Sequence, residues 1–194
     1  MGKTILFVCT GNTCRSPMAE GLLRKMAKEA GLSLEVKSAG VAAMEGSSIS
    51  THSQRVLADK GIEGWMSSRA VREPLIAEAD LILTMTIRHK NQVLSRFPAA
   101  RGKVYTLLEY AGGGREEEQA DADRELVELV TKHSLGGKLS AAERERALFL
   151  ESLGQDQDIP DPFGGTLEDY RICARDIENA LARLIDKLRR EDAK

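Results

Sequence analysis

The chain has 194 residues, 42% hydrophobic and only 4% aromatic, enough for one sizeable aliphatic core, and residues 1–194 are read as a single domain. A formal net charge of -2 gives no long-range attraction for nucleic acid or for an anionic membrane surface, so any anion site has to be local. Three cysteines, Cys9, Cys14 and Cys173, form no even-numbered framework, which excludes a disulfide-stapled secreted domain and points to a reducing compartment.

Ile5, Leu6, Phe7 and Val8 form a continuous apolar run, the pattern of a strand buried on both faces of a parallel sheet. From Pro17 the period changes, with Met18, Leu22, Met26 and Ala30 on one helical face and Gly31 closing the helix. Residues 34–37 alternate as a second strand that ends in Ser38-Ala39-Gly40. A helix over 52–60 stops at Gly61, and "LILTM" at 81–85 is a second fully buried strand. A helix over 87–97 is ended by Pro98, and residues 104–106 make a short fourth strand. Strands alternating with helices imply βαβ units: an α/β domain of three layers, with a central four-stranded, mostly parallel sheet between helices.

Residues 112–158 break this rhythm. Glycines and an acidic run lead into helical spacing at Leu126, Leu129 and Val130. A capping box, Ser140-x-x-Glu143, starts a second helix through Ala147, Leu148 and Leu150, with Gly136-Gly137 between the two. The pattern is a helical hairpin inserted in the α/β order. The chain returns at "DIPDPFGG", and Thr166 caps a long final helix carrying Ile172, Ile177, Leu181, Leu184 and Leu188. There is no internal repeat. No basic segment precedes a long apolar stretch at the N-terminus, so no signal peptide is expected. Apolar runs such as 5–9 are far too short to span a bilayer, and the protein is expected in the cytoplasm.

The chemistry is concentrated in "VCTGNTCRSPMAE", residues 8–20. In open α/β sheets ligands bind beyond the carboxyl ends of strands, and Cys9 lies at such an end. A loop between strand and helix turns backbone N–H groups inward, and the helix N-terminus adds a positive end, which together form an anion site. Gly11 is expected to permit the turn. Arg15 supplies a planar fork suited to two phosphate oxygens, and the same positive potential favours the thiolate of Cys9. A thiolate at the floor of a phosphate cradle is a nucleophile aimed at phosphorus. A bare Cys-x5-Arg spacing is common by chance. The buried strand before it, Gly11 within it and Ser16-Pro17 after it make this one specific.

Those residues resemble the active-site signature of the low-molecular-weight protein tyrosine phosphatase family. "SAG" at 38–40, "ADLILTM" at 79–85 and "DPFGG" at 161–165 fit the same family in order, and the resemblance covers roughly residues 3 to 110 and 159 to 190. It implies Cys9 as nucleophile, Arg15 as phosphoryl ligand and Asp161 as general acid. It further implies that Thr10, Gly11, Asn12, Thr13, Cys14 and Ser16 surround the phosphate, with Asn12 and Ser16 holding the loop and assisting the thiolate. A poor leaving group needs a proton, so a carboxylic acid has to stand opposite the sulfur, and Pro162 with the following glycines suits a loop that positions one.

Thr13 stands where phosphotyrosine-specific members usually carry an aliphatic residue, and Phe163-Gly164-Gly165 stands where they commonly have tyrosines. Both features resemble the protein arginine phosphatase branch. A polar wall at Thr13 can accept a guanidinium N–H, and Phe163 can stack on a guanidinium plane. Phosphotyrosine stays open as the alternative substrate. Thiol-dependent arsenate reduction needs further resolving cysteines, which residues 84–96 lack. A catalytically silent phosphate-binding module would not need Cys9, Arg15 and Asp161 together. A Walker-type nucleotide loop is unsupported at Gly136-Gly137-Lys138.

Two departures from the family stand out. Many relatives have a histidine where Met66 falls, so a contact to the phosphate loop is expected to be missing. The hairpin at 112–158 is either a lid, a recognition or pairing surface, or a solvated decoration. Cys14 is near enough in the loop to resolve an oxidised Cys9 as a disulfide, or is a small packing residue. Cys173 is expected in the core. His52, His89 and His133 show no ligand spacing and His89 is read as a packing or helix-surface residue, so no metal and no cofactor are implied. The expected partner is a phosphorylated protein, with no nucleic acid and no membrane; the oligomeric state stays open.

Overall fold

The computed structural model describes residues 2–64, 66–112, 116–134, 137–155 and 157–192. The glycines at 113–114 that open the insert, and Gly136 between its helices, lie outside them.

The apolar run at the start becomes β1 (Lys3–Cys9), which sits in the middle of the sheet. It pairs in parallel with β2 (Leu34–Gly40) on one side and with β3 (Leu81–Thr84) on the other, and β3 pairs in parallel with β4 (Val104–Thr106). The strand order is therefore β2-β1-β3-β4. Because side chains alternate along a strand, Ile5, Phe7 and Cys9 face one core and Leu6 and Val8 face the other.

The first core is covered by α1 (Arg15–Glu29), α2 (Thr51–Asp59), α5 (Leu107–Ala111) and the long α8 (Leu167–Asp192). The second is covered by α3 (Glu73–Glu78) and α4 (Ile87–Arg96). A 3-10 turn over Pro98–Lys103 leads into β4. The expected three-layer α/β architecture is the one observed.

Helices α3 and α5 have no counterpart in the sequence pattern, because six and five residues are too few to display a helical period. A capping box, in which Thr106 and Glu109 bond each other's backbone N–H groups, starts α5. Helix α1 begins at Arg15 rather than Pro17, which leaves the proline in the first turn where its missing N–H matters least. On α8 the buried stripe runs through Cys173, Ile177, Ala180, Leu181, Leu184 and Leu188, whereas Ile172 is 42% exposed. The expected face was one position off at its start, since 172 lies a full 100° around the helix from 173. Fully burying an aliphatic side chain stabilises by about 1.5–3 kcal/mol, so Ile177, Leu181 and Leu184, all at 0%, clamp this helix onto α1 and the sheet.

Within residues 112–158, expected from the sequence to be an insert, lie two helices, α6 (Glu116–Ser134) and α7 (Ala141–Gln155). Leu126 and Leu150 are buried, while Val130 and Leu148 are exposed, so the expected apolar face is thinner still. Arg146 reaches Glu125 with both a 2.9 and a 2.8 Å contact, and Lys132 bonds Glu143 at 2.6 Å. Ser140 and Glu143 form the capping box expected at the start of α7.

Gly40, at the carboxyl end of β2 and level with Cys9, lets the next loop close down on the sheet. A Cβ there would stand 2.5 Å from the Thr10 carbonyl oxygen and 2.8 Å from the Asn12 nitrogen, both backbone atoms. Gly40→Ala is therefore expected to destabilise the protein by roughly 1–3 kcal/mol through overpacking and to distort the 9–15 loop. Urea unfolding and turnover of a small aryl phosphate check this. A change confined to stability would show that the loop absorbs the methyl without moving.

Candidate active site

The loop between β1 and α1 wraps around Cys9 Sγ. The Asn12 backbone N–H donates to the sulfur at 3.3 Å, and Ser16 Oγ lies 3.0 Å from it. Ser16 Oγ also accepts from Asn12 Nδ2 at 2.9 Å, so its own hydrogen is directed to the sulfur or to the Ala39 carbonyl at 3.4 Å. Cys14 caps α1 with no side-chain hydrogen bond, which leaves the amide donors of the first turn facing the loop.

Asn12, not Gly11, turns this loop. Asn12 is fully buried at φ 53°, the left-handed region that costs a non-glycine residue about 1–3 kcal/mol. A Cβ on Gly11 would meet only Thr13 Oγ1, at an ordinary 3.5 Å. The strain at Asn12 is held by its side chain: Nδ2 donates to Ser16 and Ser38 hydroxyls, and Oδ1 accepts the Arg69 backbone N–H at 2.8 Å. Ser38 in turn donates to the buried Glu20 carboxylate at 2.5 Å. The Arg69 backbone, three residues beyond Met66, thus contacts the loop. Met66 itself packs against the core.

Arg15 is 4% exposed and crosses to the chain that returns after the insert. Nη1 donates to the Ile159 carbonyl at 3.0 Å and Nη2 to Asp161 Oδ2 at 2.6 Å, while Nε has no partner among the described residues. The returning segment is pinned before it gets there. Asp158 Oδ1 accepts the Ile87 N–H at the start of α4, and the Ile159 N–H donates to the Met85 carbonyl beyond β3. Burial pushes the Asp158 carboxyl above its ordinary range. Asp161 then accepts the Phe163 N–H, and Gly164 at φ 79° lets the Gly165 N–H return to the Pro162 carbonyl.

Cys9, Thr10, Gly11, Thr13, Cys14, Arg15, Asp161 and Phe163 line one cavity of about 210 Å³. Asn12 and Ser16 are buried behind it. All ten residues singled out from the sequence therefore meet at one place. Cys14 Sγ lies 3.2 Å from Tyr170 Oη on α8, a neighbour that no local pattern could supply. Cys173 is a core residue, its thiol pushed up to about 12 by burial.

The sequence reads His89 as a packing or helix-surface residue; the ring is buried and meets two threonine hydroxyls. It is 4% exposed, with Nε2 2.8 Å from Thr10 Oγ1 and Nδ1 2.9 Å from Thr86 Oγ1. Burial first, and then the positive charge of Arg15, push its pKa down to about 4.

Cys9, Arg15 and Asp161 thus line one cavity at the carboxyl end of β1. The family model described as low molecular weight phosphotyrosine protein phosphatase matches residues 4–123. The chain belongs to this family and is a protein phosphatase.

Its relatives narrow the comparison. A protein-arginine-phosphatase of Geobacillus stearothermophilus is 37% identical, over 98% of this chain and 99% of the relative. The solved structure of the YwlE arginine phosphatase from the same organism superposes with a TM-score of 0.72 at 36% identity, covering 98% of this chain and 96% of that one. A cysteine-to-serine mutant of the YwlE arginine phosphatase, with its active-site serine phosphorylated, gives a TM-score of 0.72 at 32% identity over 96% and 95% of the two chains.

The buried His89 makes stability depend on pH. Its folded pKa lies below the ordinary 6.5, so between these values the unfolded chain binds more protons and stability rises with pH. The His89 contribution is therefore complete above about pH 6.5 and is lost as pH falls toward about 4. Urea titrations across that window should show a steeper loss in the wild type than in His89→Gln. Parallel curves would assign the loss to other groups.

Proposed function

We propose that this chain hydrolyses protein phosphoarginine, with Cys9 as nucleophile, Arg15 as phosphoryl ligand and Asp161 as general acid and base. The observation that carries this reading is the shared cavity, in which the buried sulfur and the arginine fork share one floor and Thr13, Asp161 and Phe163 form the walls.

In the first step Cys9 Sγ attacks phosphorus and the N–P bond breaks, leaving a phosphocysteine and a free arginine side chain. The phosphoryl oxygens take the amide donors of the loop and the unpartnered Nε of Arg15. Asp161 holds Arg15 Nη2 in the resting arrangement. A phosphoryl group competes for that guanidinium and frees the Asp161 side chain, which takes up a proton from water and, as the carboxylic acid, delivers it to the leaving nitrogen, ending as the carboxylate. In the second step the carboxylate takes a proton from water, which attacks phosphorus and returns the thiolate. The phosphorylated serine in the related YwlE mutant supports a phosphoenzyme on the residue equivalent to Cys9.

Substrate choice rests on Thr13 and Phe163. Thr13 lines the cavity, and a threonine hydroxyl can accept a guanidinium N–H. Phe163 is 78% exposed at the rim, a ring free to stack on a planar cation. Phosphotyrosine, which would prefer a purely apolar wall, is the second reading. A catalytic thiol with two further free cysteines suits a reducing, cytoplasmic setting; among the described residues no helix is long and apolar enough to cross a membrane. We take residues 1–194 as one phosphatase domain with 112–158 inserted.

Cys9→Ser is expected to abolish hydrolysis while inorganic phosphate still binds, and calorimetry with turnover assays checks both. Turnover near wild type would falsify the covalent mechanism. Thr13→Ile is expected to shift the ratio of activities from phosphoarginine toward phosphotyrosine peptides by roughly ten- to a hundredfold, the range of a single lost polar contact. Activity on a small aryl phosphate should stay within about a few-fold. An unmoved ratio would remove Thr13 as the selector.

A further inference from the structure

The phosphate loop has a buried neighbour that the chemistry above leaves idle. His89 opens α4, behind the carboxyl end of β3, and its imidazole lies between two threonine hydroxyls from different elements. Which nitrogen carries the proton follows from the needs of Thr86. Thr86 Oγ1 caps α4 by accepting the His89 backbone N–H at 3.2 Å, so its own hydrogen needs an acceptor. His89 Nδ1, at 2.9 Å, is in reach. Nδ1 therefore accepts, and the proton of the neutral ring sits on Nε2.

Nε2–H then donates to Thr10 Oγ1 at 2.8 Å. A hydroxyl that accepts on one side is left with its own hydrogen to give. Thr10 lines the cavity beside Cys9 and Arg15. We infer that His89 is a positioning residue of the phosphate site, orienting the Thr10 hydroxyl so that it donates its hydrogen to a phosphoryl oxygen in the bowl.

The chain Thr86 O–H to Nδ1, Nε2–H to Thr10 Oγ1, Thr10 O–H to phosphate runs in one direction and leaves each donor paired. It depends on a neutral ring. An imidazolium would have two N–H donors and would force Thr86 to give up its donor role. The charged groups felt by the ring are Arg15 from α1, Asp161 from the returning segment and Arg88 on its own helix. Burial and the two arginines oppose protonation, and only Asp161 favours it. At neutral pH the ring therefore stays uncharged. Thr10 thereby joins the backbone amides as a donor that is already aimed before the phosphate arrives.

This inference rests on the cavity being the phosphate site, and the test separates the two. Inorganic phosphate is used as a competitive inhibitor of aryl phosphate hydrolysis by the wild type, Thr10→Val, His89→Leu, His89→Gln and the Thr10→Val/His89→Leu double variant. Thr10→Val keeps the shape of an exposed loop residue and does not depend on the α4 core. It should weaken phosphate inhibition by about ten- to a hundredfold, the range for a hydrogen bond to a charged group. His89→Leu should weaken it similarly, and the double variant no more than Thr10→Val alone, because His89 acts through that hydroxyl. His89→Gln, which keeps an N–H donor near the Nε2 position, should recover most of the loss. Unchanged inhibition in Thr10→Val, or losses that multiply in the double variant, overturns the positioning role while leaving the phosphatase reading intact. A wild type that neither turns over aryl phosphate nor responds to phosphate overturns both.

Discussion

A guanidinium almost wholly removed from water is the constraint around which this molecule is arranged. Burying a charge costs several kcal/mol unless acceptors surround it, and Arg15 gets its acceptors from a segment 144 to 146 residues further along the chain. One donor goes to a backbone carbonyl and one to a carboxylate, and the third position is left open. The charge thereby ties the α1 start to the returning chain and leaves the Nε–H without a partner among the described residues. A lysine could not do this, since its point charge lacks a fork whose prongs serve separate acceptors.

The second constraint is a strained turn. Asn12 holds a left-handed backbone because its amide is fastened from three directions, by Ser16, Ser38 and the Arg69 amide. Ser38 belongs to β2 and Glu20 to α1, so the loop is supported by the layers on which it sits. Gly40 completes the fit by having no side chain where Thr10 and Asn12 press closest. The bowl is consequently formed before any ligand arrives, which is what electrostatic stabilisation of a transferring phosphoryl group requires.

The α6–α7 pair leaves this arrangement intact for a local reason. Asp158 and Ile159 re-attach the chain to the carboxyl end of β3 through the Ile87 and Met85 backbones. Everything between α5 and that anchor can therefore lengthen without moving Asp161. The two helices of the insert hold each other by exposed ion pairs and a narrow apolar seam, an arrangement that adds little to stability.

The sequence by itself determined the parallel sheet, the phosphate loop and its end groups. β1 is buried on both faces and so reads as an unbroken apolar run, and Cys9, Arg15 and Ser16 lie within eight residues at the strand-to-helix turn that follows it. The role proposed for Asp161 rests on the resemblance, because a carboxylate in an Asp-Pro turn carries no local mark that sets it apart. Tertiary structure alone decided the rest. The Asp161–Arg15 ion pair, the Tyr170 contact on Cys14 and the His89 bond to Thr10 join residues 146, 156 and 79 positions apart. A histidine on a short helix has the same sequence signature whether it faces water or a hydroxyl. The difference lies in which strand ends beside it, and that is set by packing across the sheet.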